Sequence, residues 1–312
     1  MRLSEQFCDA QQWAAVHFGR VQVGDVRRRR RVCTLVAGWV RQPGAGIPQL
    51  GAGVAYASKA TYNLLNQPGV TPEVLQAPHR QDVATQLQQP GTYLLVEDTT
   101  QLRWSRAGAA RPGLGPVGIT RTGEQGILLH SLVVARWPGS HAHADAPRPA
   151  VVLLGLLDQQ YYVRQPVPDS ERTHPYGGIR PRQGRTRESE LWARSLRQVG
   201  QPPRHSRWVV VADRGADVYE HLLACQQHGL GFVVRACQDR KLVGTAQTVW
   251  AAARSQPSAG HFTLPLRTRT GKAARQAMLQ VSFSAVVGVQ RPKRPGASPG
   301  KGPAVAVSLV RV

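Results

Sequence analysis

The stretch VVVADRGADVYEHLL, residues 209–223, carries most of the information about the fold. Three valines and an alanine lead directly into Asp213, and Arg214, Gly215 and Asp217 follow within four positions. The apolar run predicts a buried strand, and the segment after it predicts a helix. A strand end holds a charged group rigidly, and Gly215 permits a tight turn there. Asp213 is therefore either a helix cap or a functional carboxylate, and this stretch alone favours the cap.

The overall charge indicates the kind of partner. The 312 residues include 40 lysines and arginines against 18 aspartates and glutamates, so the formal charge is 40 − 18 = +22. Such an excess is typical of proteins that bind nucleic acid, because each neutralised phosphate releases counterions. No apolar run is long enough to span a bilayer, and the first residues, MRLSEQFCDAQQ, are too polar for a signal peptide. Four cysteines without a C-x-x-C pair argue against zinc and disulfides, so we expect a cytoplasmic protein that binds DNA and no membrane.

Residues 1–85 are predicted to form a helical DNA-binding module. QQWAAVHFGRV indicates a first helix, and GDVRRRRRVCTLV indicates a second helix that Asp25 caps. Thr71 and the proline after it begin a further helix. The second helix carries five consecutive arginines without an interleaved acid, which favours phosphate contacts over a merely solvated face: Arg27, Arg28, Arg29, Arg30 and Arg31.

Residues 86–238 change to a strand pattern. GTYLLVEDTTQL is predicted as a strand that ends in the acids Glu97 and Asp98. The runs GILLHSLVVARW and AVVLLGLLDQQYYVR predict two more strands, and ESELWARSLRQV predicts a helix. Then RWVVVADRG, VYEHLLACQQHG and GFVVRAC predict a strand, a helix and a strand. This order, three strands followed by helix, strand, helix and strand, predicts an α/β fold with a ribonuclease-H-like mixed sheet.

Residues 239–312 form the third predicted domain, a set of antiparallel strands. HFTLPLRTRT, QAMLQVSFSAVVGVQ and AVAVSLVRV have strand composition, and basic turns join them. No aspartate or glutamate follows Asp239. An entirely basic β-ribbon of this kind predicts a second DNA-binding surface.

The two acids at predicted strand ends indicate a metal site. Asp98 is predicted to end the first strand and Asp213 the fourth, and these strands are neighbours in a ribonuclease-H-like sheet. Facing carboxylates suit Mg²⁺, with Mn²⁺ as a substitute, because this hard cation prefers oxygen ligands. Two such ions about 4 Å apart can stabilise the attacking and leaving oxygens of a phosphoryl transfer. With a partner acid, the metal-site interpretation of Asp213 becomes stronger than the helix-cap interpretation.

Several of these segments, taken in order, resemble one known family. LLVEDTT, GILLHSLVV, VLLGLLDQQYYVR and VVADRGADVYEHL with GFVVRAC resemble the catalytic region of the DDE transposases of the IS4 group, Tn5 transposase branch. VGDVRRRRRVCTLV and ATYNLLNQPGVTPEVLQAPH resemble the N-terminal DNA-binding module of that family. The resemblance extends from about residue 10 to the last strand. It implies a bacterial enzyme that binds transposon ends and cuts and joins DNA.

The resemblance also assigns roles to individual residues. It makes Asp98 and Asp213 the first two catalytic and metal-binding acids, and Arg235 a contact to the DNA backbone. Arg214 and Asp217 match the surroundings of the second acid, although Gly215 replaces an acidic residue of the family pattern. His130 matches a strand position at which we expect a structural role.

One departure from the family concerns the third acid, a glutamate in a Tyr-Arg-Glu-Lys helix beyond an inserted β region. The sequence has no acid after Asp239, so this glutamate is missing, and the β insertion is expected to be incomplete. The C-terminal helices through which full-length family members dimerise are also expected to be missing. We therefore expect a chain truncated before the third catalytic acid.

Three hypotheses follow. The chain is a DNA transposase, located with the bacterial nucleoid in the cytoplasm, or it is a non-catalytic DNA-end-binding fragment that inhibits full-length transposase. Alternatively, it is an unrelated ribonuclease-H-like nuclease that takes a third acid from Glu97 or Glu220. That last hypothesis is the weakest, because Glu97 and Asp98 point to opposite faces of one strand.

Overall fold

The computed structural model describes residues 9–51, 54–104, 111–118, 124–139, 150–165, 186–268, 271–292 and 302–312. It begins with five helices, which are α1 (Ala10–Phe18), α2 (Val26–Arg41), α3 (Ile47–Leu50), α4 (Ala55–Leu65) and α5 (Pro72–Gln86). Side chains predicted as N-caps lie where expected. Asp25 accepts from the N–H of Arg28, and Thr71 accepts from the N–H of Val74. These bonds satisfy backbone donors that the first helical turn leaves without an intrahelical partner.

The helices pack around a small apolar core. Its buried side chains come from the loop before α2, from α2, from α4 and from the turn after α4: Val21, Val23, Val32, Leu64 and Val70. Small side chains, Ala14 on α1 with Cys33 and Ala37 on α2, line the contact between the first two helices. Because these side chains are short, they allow the two helices to approach closely.

A six-stranded sheet follows the helices along the chain. Its strands are β1 (Gly91–Trp104), β2 (Gly115–Pro116), β3 (Gln125–Trp137), β4 (Val152–Tyr162), β5 (Ser206–Ala212) and β6 (Gly231–Val234). The order is β2-β3-β1-β5-β6, and β4 also pairs with β3. Strands β5 and β6 run parallel, with Val209 opposite Gly231. The strand that carries Asp98 and the strand that leads into Asp213 are therefore neighbours.

The prediction that β1 ends at Glu97 and Asp98 is wrong. The strand continues to Trp104, so both acids lie in its middle. Thr99 and Thr100 are β-branched and continue the alternation, which favours an extended backbone. Side chains alternate across the strand: Glu97 is 1% exposed, whereas Asp98 is exposed.

Helices α6 (Glu190–Val199) and α7 (Tyr219–Gln227) pack against each other, as their apolar spacing predicts. Leu191, Trp192 and Leu196 form the buried face of α6. Gly229 follows α7 with a φ of 68°, a conformation that favours glycine after a helix.

The C-terminal region contains a three-stranded antiparallel sheet, β7 (Gly260–Leu266), β8 (Arg275–Val289) and β9 (Val305–Arg311), in the order β7-β8-β9. The strands were predicted, but the helix α8 (Val249–Ser255) that precedes them was not. Thr248 caps it by accepting from the N–H of Ala251. The helix buries Val249 and Ala252 against Leu242 and Val289, so the region is not purely β.

The chain divides into two compact units. One comprises Met1–Leu94, Leu132–Gln159 and Pro203–Ser206, and it contains the helical module. The other comprises Leu95–Ser131, Gln160–Pro202 and Arg207–Val312, and it contains both predicted acids. The division into domains 1–85, 86–238 and 239–312 stays a prediction. Within the described ranges, no helix is long and apolar enough to cross a membrane.

Candidate nucleic-acid interface and acidic site

Helix α2 carries the five arginines in its N-terminal half, where consecutive positions point to all sides of the helix. An apolar face lies further along the helix. Arg27, Arg28 and Arg30 are exposed, while Arg29 and Arg31 are half-buried. Its buried residues Val32, Cys33, Leu35 and Ala37 face the core of the helical module. The arginines are thus concentrated at the N-terminal half of the helix, on the surface of the module.

Few groups neutralise these arginines. Arg28 lies 3.7 Å from a carboxylate oxygen of Asp25 and donates to Gln67 at 3.3 Å. The other four guanidinium groups of the run have no hydrogen bond or ion pair to any residue in the described ranges. The N–H of Arg28 donates to the carboxylate of Asp25 and lowers the pKa of this carboxyl group, so Asp25 remains charged as the helix cap.

The sequence around α2 strengthens the positive potential. Residues 10–70 contain eight basic residues and one acid, Asp25, for a net charge of 8 − 1 = +7. The basic residues are Arg20, Arg27, Arg28, Arg29, Arg30, Arg31, Arg41 and Lys59. A surface of this kind attracts a polyanion at long range.

Asp98, the first predicted catalytic acid, lies on the exposed face of β1. One carboxylate oxygen accepts from the N–H of the next residue, Thr99, at 2.8 Å. This local bond fixes the carboxylate against the strand. The second oxygen has no hydrogen bond to another described residue, so it is available for a ligand.

Asp213, the second predicted acid, directly follows β5 and is also exposed. It caps the single 3₁₀ turn Arg214–Ala216 and accepts from the N–H of Gly215 at 2.7 Å. The helix-cap interpretation is therefore correct for one carboxylate oxygen. The other oxygen makes no bond to a described residue, so capping does not exclude a second role.

Gly215 has a different role from the one predicted. Its φ does not lie in the left-handed region, so conformational freedom is not what the turn requires. A Cβ at this position would lie 2.9 Å from Oδ1 of Asp213 and 3.1 Å from Cζ2 of Trp192. A side chain at this position would therefore crowd the Asp213 carboxylate and the Trp192 ring, and one of them would have to shift.

The donor set fits a weakly held divalent ion only in part. One exposed carboxylate, Asp98, lies within β1, and the other, Asp213, directly follows the neighbouring strand β5. Mg²⁺ is commonly held by one or two carboxylates with several waters. In the portion of the chain that the structure describes, no three His, Cys, Asp or Glu side chains are grouped to hold a metal. Asp98 and Asp213 therefore supply the oxygen ligands that Mg²⁺ prefers. The described residues supply no third protein ligand beside them.

Beneath Asp98, on the opposite face of β1, lies a buried polar cluster. The Glu97 carboxylate lies 3.5 Å from Nε2 of His221 and 4.0 Å from Nε2 of His130, and all three side chains are fully buried. Nδ1 of His130 is 2.9 Å from the hydroxyl of Thr99. Of the two neighbours of Asp98 in sequence, Thr99 is therefore bonded to His130, and Glu97 lies 4.0 Å from it.

Burial keeps His221 in this cluster, and Cys225 beside it, uncharged. It lowers the pKa of His221 to about 4, so this imidazole is uncharged at neutral pH. Burial and the nearby Glu97 raise the pKa of the Cys225 thiol to about 12, which leaves it protonated and unreactive. The predicted structural role of His130 agrees with its burial, but nothing in the sequence indicated that His221 lies beside Glu97.

Two further predicted contacts, Arg214 and Arg235, are exposed after β5 and β6. The N–H of Arg235 donates to the carbonyl of Ala212 at 3.3 Å and thereby extends the pairing of these two strands. Neither guanidinium group bonds to a described residue. Both are therefore free to meet an anion at the same end of the two parallel strands.

Part of the chain is similar to a known family. Residues 10–70 match the family model described as transposase DNA-binding. This segment is similar to the DNA-binding region of transposases. It contains helices α1 to α4 and the arginines of α2, so the predicted DNA-binding role of the helical module agrees with the match.

One solved structure similar to the chain is a piggyBac transposase in a cryo-EM structure of its synaptic complex with hairpin DNA. The sequences are 11% identical and the TM-score is 0.36. The alignment covers 99% of this chain and 62% of the piggyBac transposase chain. The chain thus spans less than two thirds of the length of that transposase.

Proposed function

We propose that the chain acts in DNA transposition, and that its N-terminal region binds transposon ends. The observation that carries this proposal is the transposase DNA-binding match over residues 10–70, together with the unneutralised arginines of α2 inside it. The match supports an assignment to the transposases, and the arginines would supply the contacts to DNA phosphates.

We further propose that the remaining residues belong to a DDE transposase with a ribonuclease-H-like core, of the IS4 group and Tn5 branch. The sheet order supports this, because β4-β3-β1-β5-β6 is the order 3-2-1-4-5 when the two-residue strand β2 is left out. The resemblance of five sequence segments in the same order supports it as well. In this proposal the chain works in the bacterial cytoplasm, on the nucleoid.

The proposed active site lies where β1 and β5 are adjacent. Asp98 and Asp213 would hold Mg²⁺, or Mn²⁺ in its place, through the carboxylate oxygens that make no bond within the protein. The ion supplies charge stabilisation for a phosphoryl transfer when it is bound. Arg214 and Arg235 would hold DNA phosphates beside it, since a guanidinium group binds phosphate in a fork geometry.

A second candidate function is DNA-end binding without catalysis, with inhibition of a full-length transposase. One observation favours it: Glu97, an alternative third ligand, is buried on the face of β1 opposite Asp98. Both candidates require DNA binding, and only the first requires cleavage.

The test is a measurement of affinity for labelled duplex DNA at several salt concentrations. We expect affinity to fall by on the order of a hundredfold or more from low to moderate salt. Replacement of Arg27, Arg30 and Arg31 by glutamine should weaken binding to all sequences alike and reduce the slope of log affinity against log salt by about three. Affinity that does not change with salt would contradict the proposal.

The control removes equal charge elsewhere. Arg197, Arg204 and Arg207 are exposed and make no ion pair with a described residue. Their replacement by glutamine lowers the net charge by the same three units. If both triple variants lost the same affinity, binding would follow from net charge and not from the arginines of α2.

A further inference from the structure

A buried carboxylate, Asp217, joins the two chain segments that follow β5 and β6. Its residue is 6% exposed. Oδ2 accepts from the backbone N–H of Cys237 at 2.6 Å and from that of Gln238 at 2.8 Å. Oδ1 forms an ion pair with the guanidinium group of Arg240, and this group also donates to the carbonyl oxygen of Asp217 at 2.6 Å. Every oxygen of this residue is therefore used within the protein.

These bonds connect residues 213–217 to residues 235–240. The turn from Asp213 to Asp217 closes on itself, since the N–H of Asp217 donates to the carbonyl of Arg214 at 3.2 Å. The same carbonyl accepts from the thiol of Cys237 at 3.3 Å. The backbone of Arg214 is thus held against the segment that begins at Arg235.

The three arginines near Asp217 differ: Arg240 is paired with a carboxylate, whereas Arg214 and Arg235 are not paired with any described residue. Arg240 is neutralised and nearly buried, with a side chain 10% exposed. Arg214 and Arg235 are exposed, and their guanidinium groups bond to no described residue. Because Asp217 pairs with Arg240, its negative charge does not neutralise Arg214 or Arg235. Its bonds to the backbone N–H groups of Cys237 and Gln238 fix the segment that carries Arg235.

We infer that Asp217 is a positioning residue, which sets the spacing between Arg214 and Arg235 so that both contact phosphates of one DNA strand. The inference rests on the proposed function, because it assumes that these two arginines meet DNA. Asp217 itself touches no DNA, and its effect on binding passes entirely through the two arginines. Phosphate contacts of this kind position the DNA and are lost when their spacing changes.

The test is a double-mutant cycle on DNA affinity and its salt dependence, with labelled duplex DNA as the probe. Its members are wild type, Asp217→Asn, the pair Arg214→Gln with Arg235→Gln, and the triple variant. The arginine pair should reduce the slope of log affinity against log salt by about two. Asp217→Asn alone should reduce it by about one to two, and the triple variant should match the arginine pair, because there is then nothing left to position.

The possible outcomes separate the inference from the proposed function. If the arginine pair binds DNA like wild type, the two arginines do not contact DNA, and the proposed function loses that assignment together with the inference. If the arginine pair binds more weakly but Asp217→Asn does not, only the inference is wrong. If Asp217→Asn weakens the arginine pair as much as it weakens wild type, its effect is general destabilisation, and the inference is again wrong.

A second variant and a local measurement distinguish a loss of positioning from a loss of folding. Arg240→Lys retains the charge beside Asp217 but replaces the planar two-nitrogen fork with a single ammonium nitrogen, so it cannot reproduce both bonds in the same geometry. We therefore expect a smaller loss of slope than in Asp217→Asn. Amide hydrogen exchange should become faster at Cys237 and Gln238 in both variants and remain unchanged in β1. Unchanged exchange at those two amides would show that the carboxylate does not hold the segment, and would overturn the inference.

Discussion

Nε2 of His79 on α5 accepts a hydrogen bond from the backbone N–H of Leu156 on β4 at 3.0 Å. Nδ1 of the same imidazole lies 3.2 Å from Nδ1 of His17 on α1. Because Nε2 is an acceptor, the hydrogen of neutral His79 is on Nδ1, and it is donated to His17. Both imidazoles must be uncharged to make these two bonds, so a chain of three groups joins α1, α5 and β4.

This hydrogen-bonded series of His17, His79 and the backbone N–H of Leu156 predicts a loss of stability in mild acid. Burial lowers the pKa of His79, and the neighbouring His17 lowers it further; burial also lowers the pKa of His17. The folded state therefore binds fewer protons than the unfolded state, whose histidines titrate near pH 6.5. The stabilisation is fully present above about pH 6.5 and is lost as the pH falls below it. We expect the free energy of unfolding to decrease from about pH 7 to about pH 5.

The variant His79→Gln tests this, since a glutamine oxygen can accept from Leu156 without titrating. Its free energy of unfolding, measured by urea denaturation at each pH, should fall less than that of wild type. Some pH dependence should remain, because the pKa of His221 is lowered to about 4 in the same way. His261→Gln is the control, since His261 is exposed on β7, and its profile should match wild type. A profile of His79→Gln as steep as that of wild type would exclude the histidine pair as the cause.

Gly155 makes the His79 contact possible and gives a second prediction. A Cβ there would lie 2.3 Å from Nε2 of His79, and its φ of 139° is itself unfavourable for other residues. We expect Gly155→Ala to destabilise the fold by about 2 kcal/mol or more, measured by denaturant unfolding. Gly139→Ala is the control, because Gly139 has a φ of 96° but open space around it, so only the backbone cost of about 1–2 kcal/mol applies. Equal losses would mean that crowding at His79 adds nothing.

Local signals in the sequence predicted much of this fold. Asp25 and Thr71 mark helix starts because capping depends on residues within one turn. The strand–helix alternation after β4 was predicted from periodicity alone, and the structure contains the same elements in the same order. Errors arose where a local signal was weak. The end of β1 was placed too early, because the acids Glu97 and Asp98 resemble a strand end although the threonines after them continue the strand.

Contacts between distant residues could not be predicted in this way. Glu97 and His221 are 221 − 97 = 124 positions apart, and no pattern in either segment indicates the other. Asp217 and Arg240 are closer in sequence, yet their pairing depends on β5 and β6 being parallel neighbours. His79 meets Leu156 only because Gly155 lacks a side chain. Each of these contacts follows from tertiary structure, which propensity and periodicity do not determine.

The proposed metal site gives a third prediction. Mn²⁺ should bind weakly to wild type in titration calorimetry, and Asp98→Asn or Asp213→Asn should each abolish most of the binding. Asparagine retains the acceptor for the N–H of Thr99 or Gly215, so the charge is removed with little effect on the turn. Asp9→Asn is the control, because Asp9 caps α1 and asparagine caps equally well. Binding that persists unchanged in both active-site variants would mean that these acids are only caps or surface groups.

The last prediction concerns catalysis. In-line phosphoryl transfer requires the metal ions in fixed positions, and a misplacement of about 1 Å can cost a hundredfold in rate. Two carboxylates without a third protein ligand leave an ion under-coordinated, and residues 240–312 contain no acid that could complete the set. We therefore expect these 312 residues to bind DNA but neither to nick nor to join it in Mg²⁺. A strand-cleavage assay on labelled duplexes that carry the element's own ends would measure this. Specific 3′ nicking by wild type that disappears in Asp213→Ala would contradict the prediction, because the third ligand would then come from residues 1–239 or from a partner chain.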